Sequence, residues 1–236
     1  MKNHILMNLQ RKSVFVFDWD GTLFDSMEGK THSFSLVVSN YLKKKNKHIE
    51  PYSVATLYRF HSGKPRSEIF REIAKVAGLQ LDQTDIDEMS KLLFEYNRTV
   101  LAKAVLFSDA LRFLDSLVSR DVKLFISSSV PQTELDYFVS AVLPDSLLSQ
   151  FSGVLGSSNG CSKGSDHIDI IRTQTCALRE NIIVIGDDEA DYVLSKAAGV
   201  TCVLVDRDGK FDDSFLNIVK NLDELCTLLN LPVSTL

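Results

Sequence analysis

Two aspartates two residues apart, Asp18 and Asp20, open the run Asp18-Trp19-Asp20-Gly21-Thr22-Leu23. Side chains at i and i+2 of an extended segment share a side, so both carboxylates can face one ligand. Such a pair can divide labour, one carboxylate attacking while the other moves protons. Gly21 lets the backbone approach a ligand closely. A plain turn with two solvated aspartates is the competing reading. A second acidic group, Gly186-Asp187-Asp188-Glu189-Ala190-Asp191, puts four acids within five residues. Their mutual repulsion calls for a cation. Asp187 and Asp191 stand four apart, on one face of a helix that would start there. Carboxylate oxygens of this kind suit Mg²⁺, which takes a few carboxylates plus water and phosphate. Acids at a helix start also favour the helix dipole, which accounts for one or two of them.

Two weaker signals lie between these groups. Ser127-Ser128-Ser129 offers hydroxyls, and backbone N–H groups at a helix start that suit a phosphate oxygen. A simple helix cap before Pro131 would use the same residues. Lys163, in Gly160-Cys161-Ser162-Lys163-Gly164, could neutralise both a phosphate and Asp18; by itself it reads as a surface lysine.

The elements that carry these residues follow from the apolar pattern. Ser13–Asp18 is a short apolar run that breaks into the glycine turn. Val122–Ile126 stops at the three serines, Asn181–Ile185 at Gly186, and Thr201–Val205 at Asp206; Gly153–Gly156 reads as a fifth, shorter strand. Short apolar strands alternating with amphipathic helices predict an α/β fold, a doubly wound parallel sheet covered on both faces. Ligands then bind at the carboxyl ends of the strands, where the polar residues cluster. The stretch from 26 to 103 holds no convincing strand. Apolar residues recur there at helical spacing, as in Ile69, Ile73, Val76 and Ala77, and in Met89, Leu92, Leu93 and Tyr96. Punctuated by Pro51, Pro65 and Gly78, it predicts four helices inserted after the first strand. The basic run Lys43–His48 reads as a solvated helix C-terminus.

The 236 residues carry 26 basic and 31 acidic side chains, a net charge of −5, with 44% apolar residues. That balance speaks against a general nucleic-acid or anionic-membrane binder. Cys161, Cys176, Cys202 and Cys226 form no C-x-x-C pair, so reduced thiols in a cytoplasmic protein are expected. The N-terminal segment, with a short apolar piece at Ile5–Met7, lacks a signal-peptide core, and no run approaches the ~20 apolar residues of a membrane span.

In their order, the four polar segments resemble the haloacid dehalogenase superfamily, in the phosphatase branch with a helical cap inserted after the first motif, similar to phosphoglycolate phosphatase and β-phosphoglucomutase relatives. The resemblance spans essentially the whole chain. It implies a Rossmann-like α/β core of residues 1–25 and 104–236 and an all-helical cap of residues 26–103. It implies Asp18 as nucleophile and Asp20 as the acid that protonates the leaving alcohol and then activates water. Mg²⁺ would be held by Asp18, Asp187 and the backbone carbonyl of Asp20, with Asp191 supporting and Asp188 a further contributor. Ser127, Ser128, Lys163 and the backbone near Trp19 would bind phosphate, the Trp19 ring serving as packing or pocket wall. Gly164 departs from the proline that many members carry after the lysine. An aspartate at position 20 separates this chain from the dehalogenases, because cleaving a P–O ester needs a proton for the alcohol and cleaving a C–halogen bond does not. The expected activity is hydrolysis of a small phosphomonoester. A sugar-phosphate mutase is the alternative, although Lys30 stands where mutase relatives carry histidine and His32 lies two residues on. A non-catalytic phospho-ligand binder is the third reading. The segment Phe60–Arg66 resembles the substrate-facing cap loop, with His61, Lys64 and Arg66 to meet an anionic or hydroxylated substrate; a solvated interhelical turn is the competing reading. A monomer or homodimer without nucleic-acid or membrane partners is expected.

Overall fold

The computed structural model describes residues 12–61, 63–118, 120–212 and 214–232. The N-terminal piece at Ile5–Met7 lies outside them. The chain divides into two compact units, one running to Asp25 and resuming at Leu106, the other Ser26–Val105.

The first unit is a six-stranded sheet in the order β3-β2-β1-β4-β5-β6, with every pairing parallel. Its strands are β1 (Val14–Phe17), β2 (Lys123–Pro131), β3 (Phe151–Ser157), β4 (Ile182–Gly186), β5 (Thr201–Val205) and β6 (Ile218–Val219). β1 lies inside the sheet between β2 and β4, and all four of its residues are buried. Because side chains alternate across a strand, a fully buried strand must be apolar on both faces. Val14 and Val16 join Phe125, Ile182 and Val184 against Ile168 and Ile171 on one face. Phe15 and Phe17 meet the edge of Phe113 at 6.3 and 6.0 Å on the other. Each side chain buried in this way contributes on the order of 2 kcal/mol.

In chain order the helices of the second unit are α1 (Met27–Lys44), α2 (Pro51–Phe60), α3 (Arg66–Val76) and α4 (Gln83–Val100). Those of the first are α5 (Ser108–Val118), α6 (Gln132–Val142), the single turn α7 (Asp145–Leu148), α8 (Ser165–Thr175), α9 (Glu189–Ala197) and α10 (Leu222–Leu228). The second unit is thus all helical. Phe34, Val38, Leu42, Phe70, Ile73, Met89 and Leu93 form its core. Pro51 occupies the first turn of α2, where its missing N–H costs nothing. Two residues of the expected helical stripes are not core. Val76 is the last residue of α3 and 66% exposed, and Tyr96 is 39% exposed because the buried face of α4 runs through Met89, Leu93 and Asn97. Lys45, in the basic run, pairs with Asp85 at 2.8 Å.

Two further expectations need correction. β2 does not stop at Ile126; it runs through the three serines to Pro131, after an irregularity in its pairing with β3. The serines therefore sit on a strand extension and not at a helix start. The two-residue strand β6 had no apolar run long enough to announce it. Among the described residues, no helix is long and apolar enough to cross a membrane.

Candidate active site

Asp18 is the residue immediately after β1, and its backbone N–H is bonded to the Ile185 carbonyl of β4 at 2.8 Å. The strand ends of β1 and β4 are thereby fixed side by side. Asp187 follows Gly186, the last residue of β4. The expectation that Asp187 and Asp191 share a helix face fails for Asp187, which precedes the helix. α9 begins at Glu189, with Asp188 as its cap. Asp188 accepts the Ala190 N–H at 2.9 Å while Asp191 accepts the Asp188 N–H at 3.2 Å, a reciprocal capping box. Asp188 thus spends its carboxylate on the helix. Asp191, one turn in, is turned back toward the strand end.

The result is a cluster in which Asp18, Asp187 and Asp191 each bring an oxygen within 4.8 Å of the others. Lys163 Nζ lies 2.6 Å from Asp18 Oδ1 and 2.6 Å from Asp191 Oδ1. Its neighbour Gly164 has φ +118°, which the fixed ring of a proline cannot adopt, so glycine is needed here for the chain to enter α8. Thr22 Oγ1 donates to Asp187 Oδ1 at 3.2 Å and orients that carboxylate. Lys210 Nζ is 3.8 Å from its other oxygen. Thr22 could be read from the first motif; Lys210, on the loop after β5, carried no signal in the sequence.

Burial drives the Asp18 carboxyl well above the usual carboxylate range, against the pull of Lys163, with Asp191 and Asp187 adding to the rise. Asp187 is pushed up to about 7, first by burial and then by Asp191, with Lys210 pulling the other way. Burial works against the charge of Lys163 too, but Asp18 and Asp191 more than offset it and hold the ammonium protonated. Three carboxylates around one close lysine leave an excess of buried negative charge, and carboxylates strained in this way suit a divalent cation. The walls leave room for little else. A Cβ on Gly21 would stand 2.4 Å from Asp187 Oδ2, and one on Gly186 2.3 Å from Asp191 Oδ2. The cluster could therefore hold a divalent metal ion.

The serines divide. Ser127 Oγ is 2.8 Å from His167 Nδ1 in α8, and both residues are buried. Burial lowers the imidazole pKa to about 4 and keeps the ring neutral, with a single hydrogen shared between Ser127 Oγ and His167 Nδ1. Ser128, also buried, accepts the Val130 N–H at 3.2 Å and keeps its own proton to donate. The Trp19 ring is 1% exposed and packs on Phe24 at 5.1 Å, so it is core and not a contact surface for phosphate. Asp20, half-buried, bridges to Phe24 in the turn. His61, Lys64 and Arg66 belong to the helical unit. His61 caps α2, Lys64 Nζ lies 3.3 Å from His61 Nδ1, and Arg66 begins α3.

His167 makes a testable demand on stability. Its folded pKa of about 4 lies below the unfolded value near 6.5, so its contribution is complete above pH 6.5 and is lost as pH falls toward 4. His167→Asn is expected to flatten the pH dependence of urea unfolding in that window by on the order of 3 kcal/mol. Parallel curves for the two proteins would show that the imidazole is not held neutral.

A family model described as haloacid dehalogenase-like hydrolase matches residues 15–205. A phosphoglycolate phosphatase of Colwellia psychrerythraea is 26% identical over 202 residues, which cover 84% of this chain and 85% of the relative. A solved haloacid dehalogenase-like family hydrolase of Streptococcus pneumoniae superimposes with a TM-score of 0.68 at 21% identity, covering 92% of this chain and 98% of the other. CbbY of Rhodobacter sphaeroides, solved in complex with phosphate, gives 0.69 at 13% identity, covering 93% and 99%. These two likenesses speak to the fold. The family match runs from β1 to β5 and so takes in the aspartates at both strand ends together with Lys163 between them: the chain belongs to the haloacid dehalogenase-like hydrolases.

Proposed function

We propose that this enzyme is a Mg²⁺-dependent hydrolase of a small phosphomonoester that works through an aspartyl-phosphate on Asp18. The observation that carries this reading is the buried Asp18 carboxylate, bonded to Lys163 at 2.6 Å within reach of Asp187 and Asp191. Asp18, Asp187 and Asp191, with the Asp20 carbonyl that the family resemblance adds, would hold the ion. When bound, Mg²⁺ offsets the charge of the phosphate and the carboxylates. Lys163 adds a fixed positive charge that lets an anionic nucleophile meet an anionic substrate. An Asp18 oxygen attacks phosphorus, the ester P–O bond breaks, and Asp20 gives its proton to the departing alkoxide. Asp20, now a carboxylate, then takes a proton from the water that attacks the aspartyl-phosphate; the bond from phosphorus to Asp18 breaks, and free phosphate leaves. Ser127 and Ser128 are proposed to bind the phosphate with Lys163; Ser128 accepts the Val130 N–H and so has its own proton to donate to a phosphate oxygen. His61, Lys64 and Arg66 are proposed to select the leaving group from the cap. Four free thiols among the described residues support a cytoplasmic setting.

The test is phosphate release from p-nitrophenyl phosphate and from 2-phosphoglycolate, the latter suggested by the curated relative. Chelation should lower both rates by at least about 10²-fold, and Mg²⁺ should restore them. Full turnover in the chelated sample would remove the metal role. No release from either ester, or from a wider panel of phosphomonoesters, would remove the phosphatase reading.

A further inference from the structure

Arg207, two residues beyond the end of β5, takes no part in the chemistry above, yet it is tied directly to the catalytic turn. Its Nη2 donates to the Thr22 carbonyl at 3.1 Å and its Nε points to the Gly21 carbonyl at 3.4 Å. Its Nη1 donates to Asp109 Oδ2 at 2.8 Å, and the guanidinium lies 3.8 Å from the centre of the Phe107 ring. Asp109 is itself anchored, because the same oxygen accepts the Leu222 N–H at 2.8 Å. The loop that presents Arg207 is also held, since the Asp206 carboxylate accepts the Lys210 and Phe211 N–H groups. One planar cation thus joins three elements, and only the fork of an arginine reaches two carbonyls, a carboxylate and a ring face together.

The turn so gripped is also bonded within itself. Gly21 N–H bonds to the Phe24 carbonyl, and the Leu23 and Phe24 N–H groups share the Trp19 carbonyl. Asp20 sits between these bonds, on the residue before the first carbonyl that Arg207 holds. Phe107, beneath the guanidinium, ties back to the same turn by donating its N–H to the Leu23 carbonyl at 3.0 Å. Asp25 is the last residue of the α/β unit before the helical unit and Leu106 the first after it, so Arg207 clamps both crossing segments on the α/β side.

We propose that Arg207 is the positioning residue of the acid/base aspartate, setting the place of Asp20 by fixing the Gly21 and Thr22 carbonyls against the start of α5. The proposal rests on the reading of Asp20 as the acid, and the experiment separates the two. Arg207→Lys keeps the cation beside Asp109 and loses the fork. Amide exchange at Gly21, Leu23 and Phe24, followed by NMR, should quicken by about tenfold or more while the strands β1 and β4 stay protected. Phosphate release from an alkyl ester should fall by about 30-fold, and from p-nitrophenyl phosphate by a few-fold at most, because a good leaving group needs little acid. Phe107→Leu, which keeps the ion pair and removes the ring face, should shift both readouts the same way by less. Unchanged exchange at the three amides would overturn the proposal, as would exchange that quickens throughout the molecule with equal losses on both esters. A wild-type enzyme that cleaves neither ester would instead overturn the phosphatase reading, and the exchange comparison would still decide whether Arg207 sets the turn.

Discussion

Asp18→Asn should lower turnover by at least about 10³-fold on every ester, whatever the leaving group. The amide is a poor nucleophile and a poorer metal ligand, and it also removes the charge that Lys163 meets at 2.6 Å. Asp20→Asn should behave differently. Its backbone is unaltered and Asp18 can still attack. What disappears is the proton for the leaving oxygen and the base for water, together worth about 10² to 10⁴ in rate. Alkyl esters should suffer first, since their alkoxides leave badly unprotonated. An activated aryl phosphate should still phosphorylate Asp18, and the adduct should then persist because nothing deprotonates the attacking water. Intact-mass measurement after rapid mixing would detect the added phosphoryl group. Near-normal turnover in Asp18→Asn, or equal slowing of good and poor leaving groups in Asp20→Asn with no adduct, would show the two roles to be wrongly assigned.

Gly21→Ala is the second large effect, and it acts on the Asp18–Asp187–Asp191 cluster without removing a charged group. The added Cβ would lie 2.4, 2.7 and 2.8 Å from Asp187 Oδ2, Cγ and Oδ1. Real Cβ contacts are not that short, so the Asp187 carboxylate must move away, giving up its bond from Thr22. Ligand positions tolerate only a few tenths of an ångström. The concentration of Mg²⁺ needed for half-maximal activity should therefore rise by about 10- to 100-fold, with a fall in kcat. Left-handed strain at φ +81° adds on the order of 1 kcal/mol of destabilisation. Gly160→Ala isolates that part, because Gly160 has φ +77° and nothing within 4 Å of its Cβ. Matching Mg²⁺ curves for the two variants would mean that the effect at Gly21 is backbone strain alone.

Much of the molecule was legible in its residues. Four runs of buried β-branched and aromatic side chains, with a fifth shorter one, alternating with amphipathic helices, announced a parallel sheet, the usual setting of strands covered on both faces. Helical spacing in 26–103 announced the four helices of the insert. The acids at the ends of β1 and β4 announced an edge that could hold a cation, because carboxylates so crowded are unstable unless a positive charge is near. What the sequence could not decide was which atoms are already spent. Asp188 and Asp191 both stand in the acidic run, but only the structure shows that the helix takes the first for its cap and turns the second into the cluster. Ser127 and Ser128 are neighbours of one type, but β2 continues through them, so Ser127 meets His167 and Ser128 does not. Partners distant in sequence carry no local signal, so His167 behind Ser127, Lys210 beside Asp187 and Arg207 on the Gly21–Thr22 carbonyls emerged only from the fold. Residue type and spacing determined which chemistry this chain can perform; strand register and helix capping, which depend on contacts distant in sequence, decided which of its side chains remain available for it.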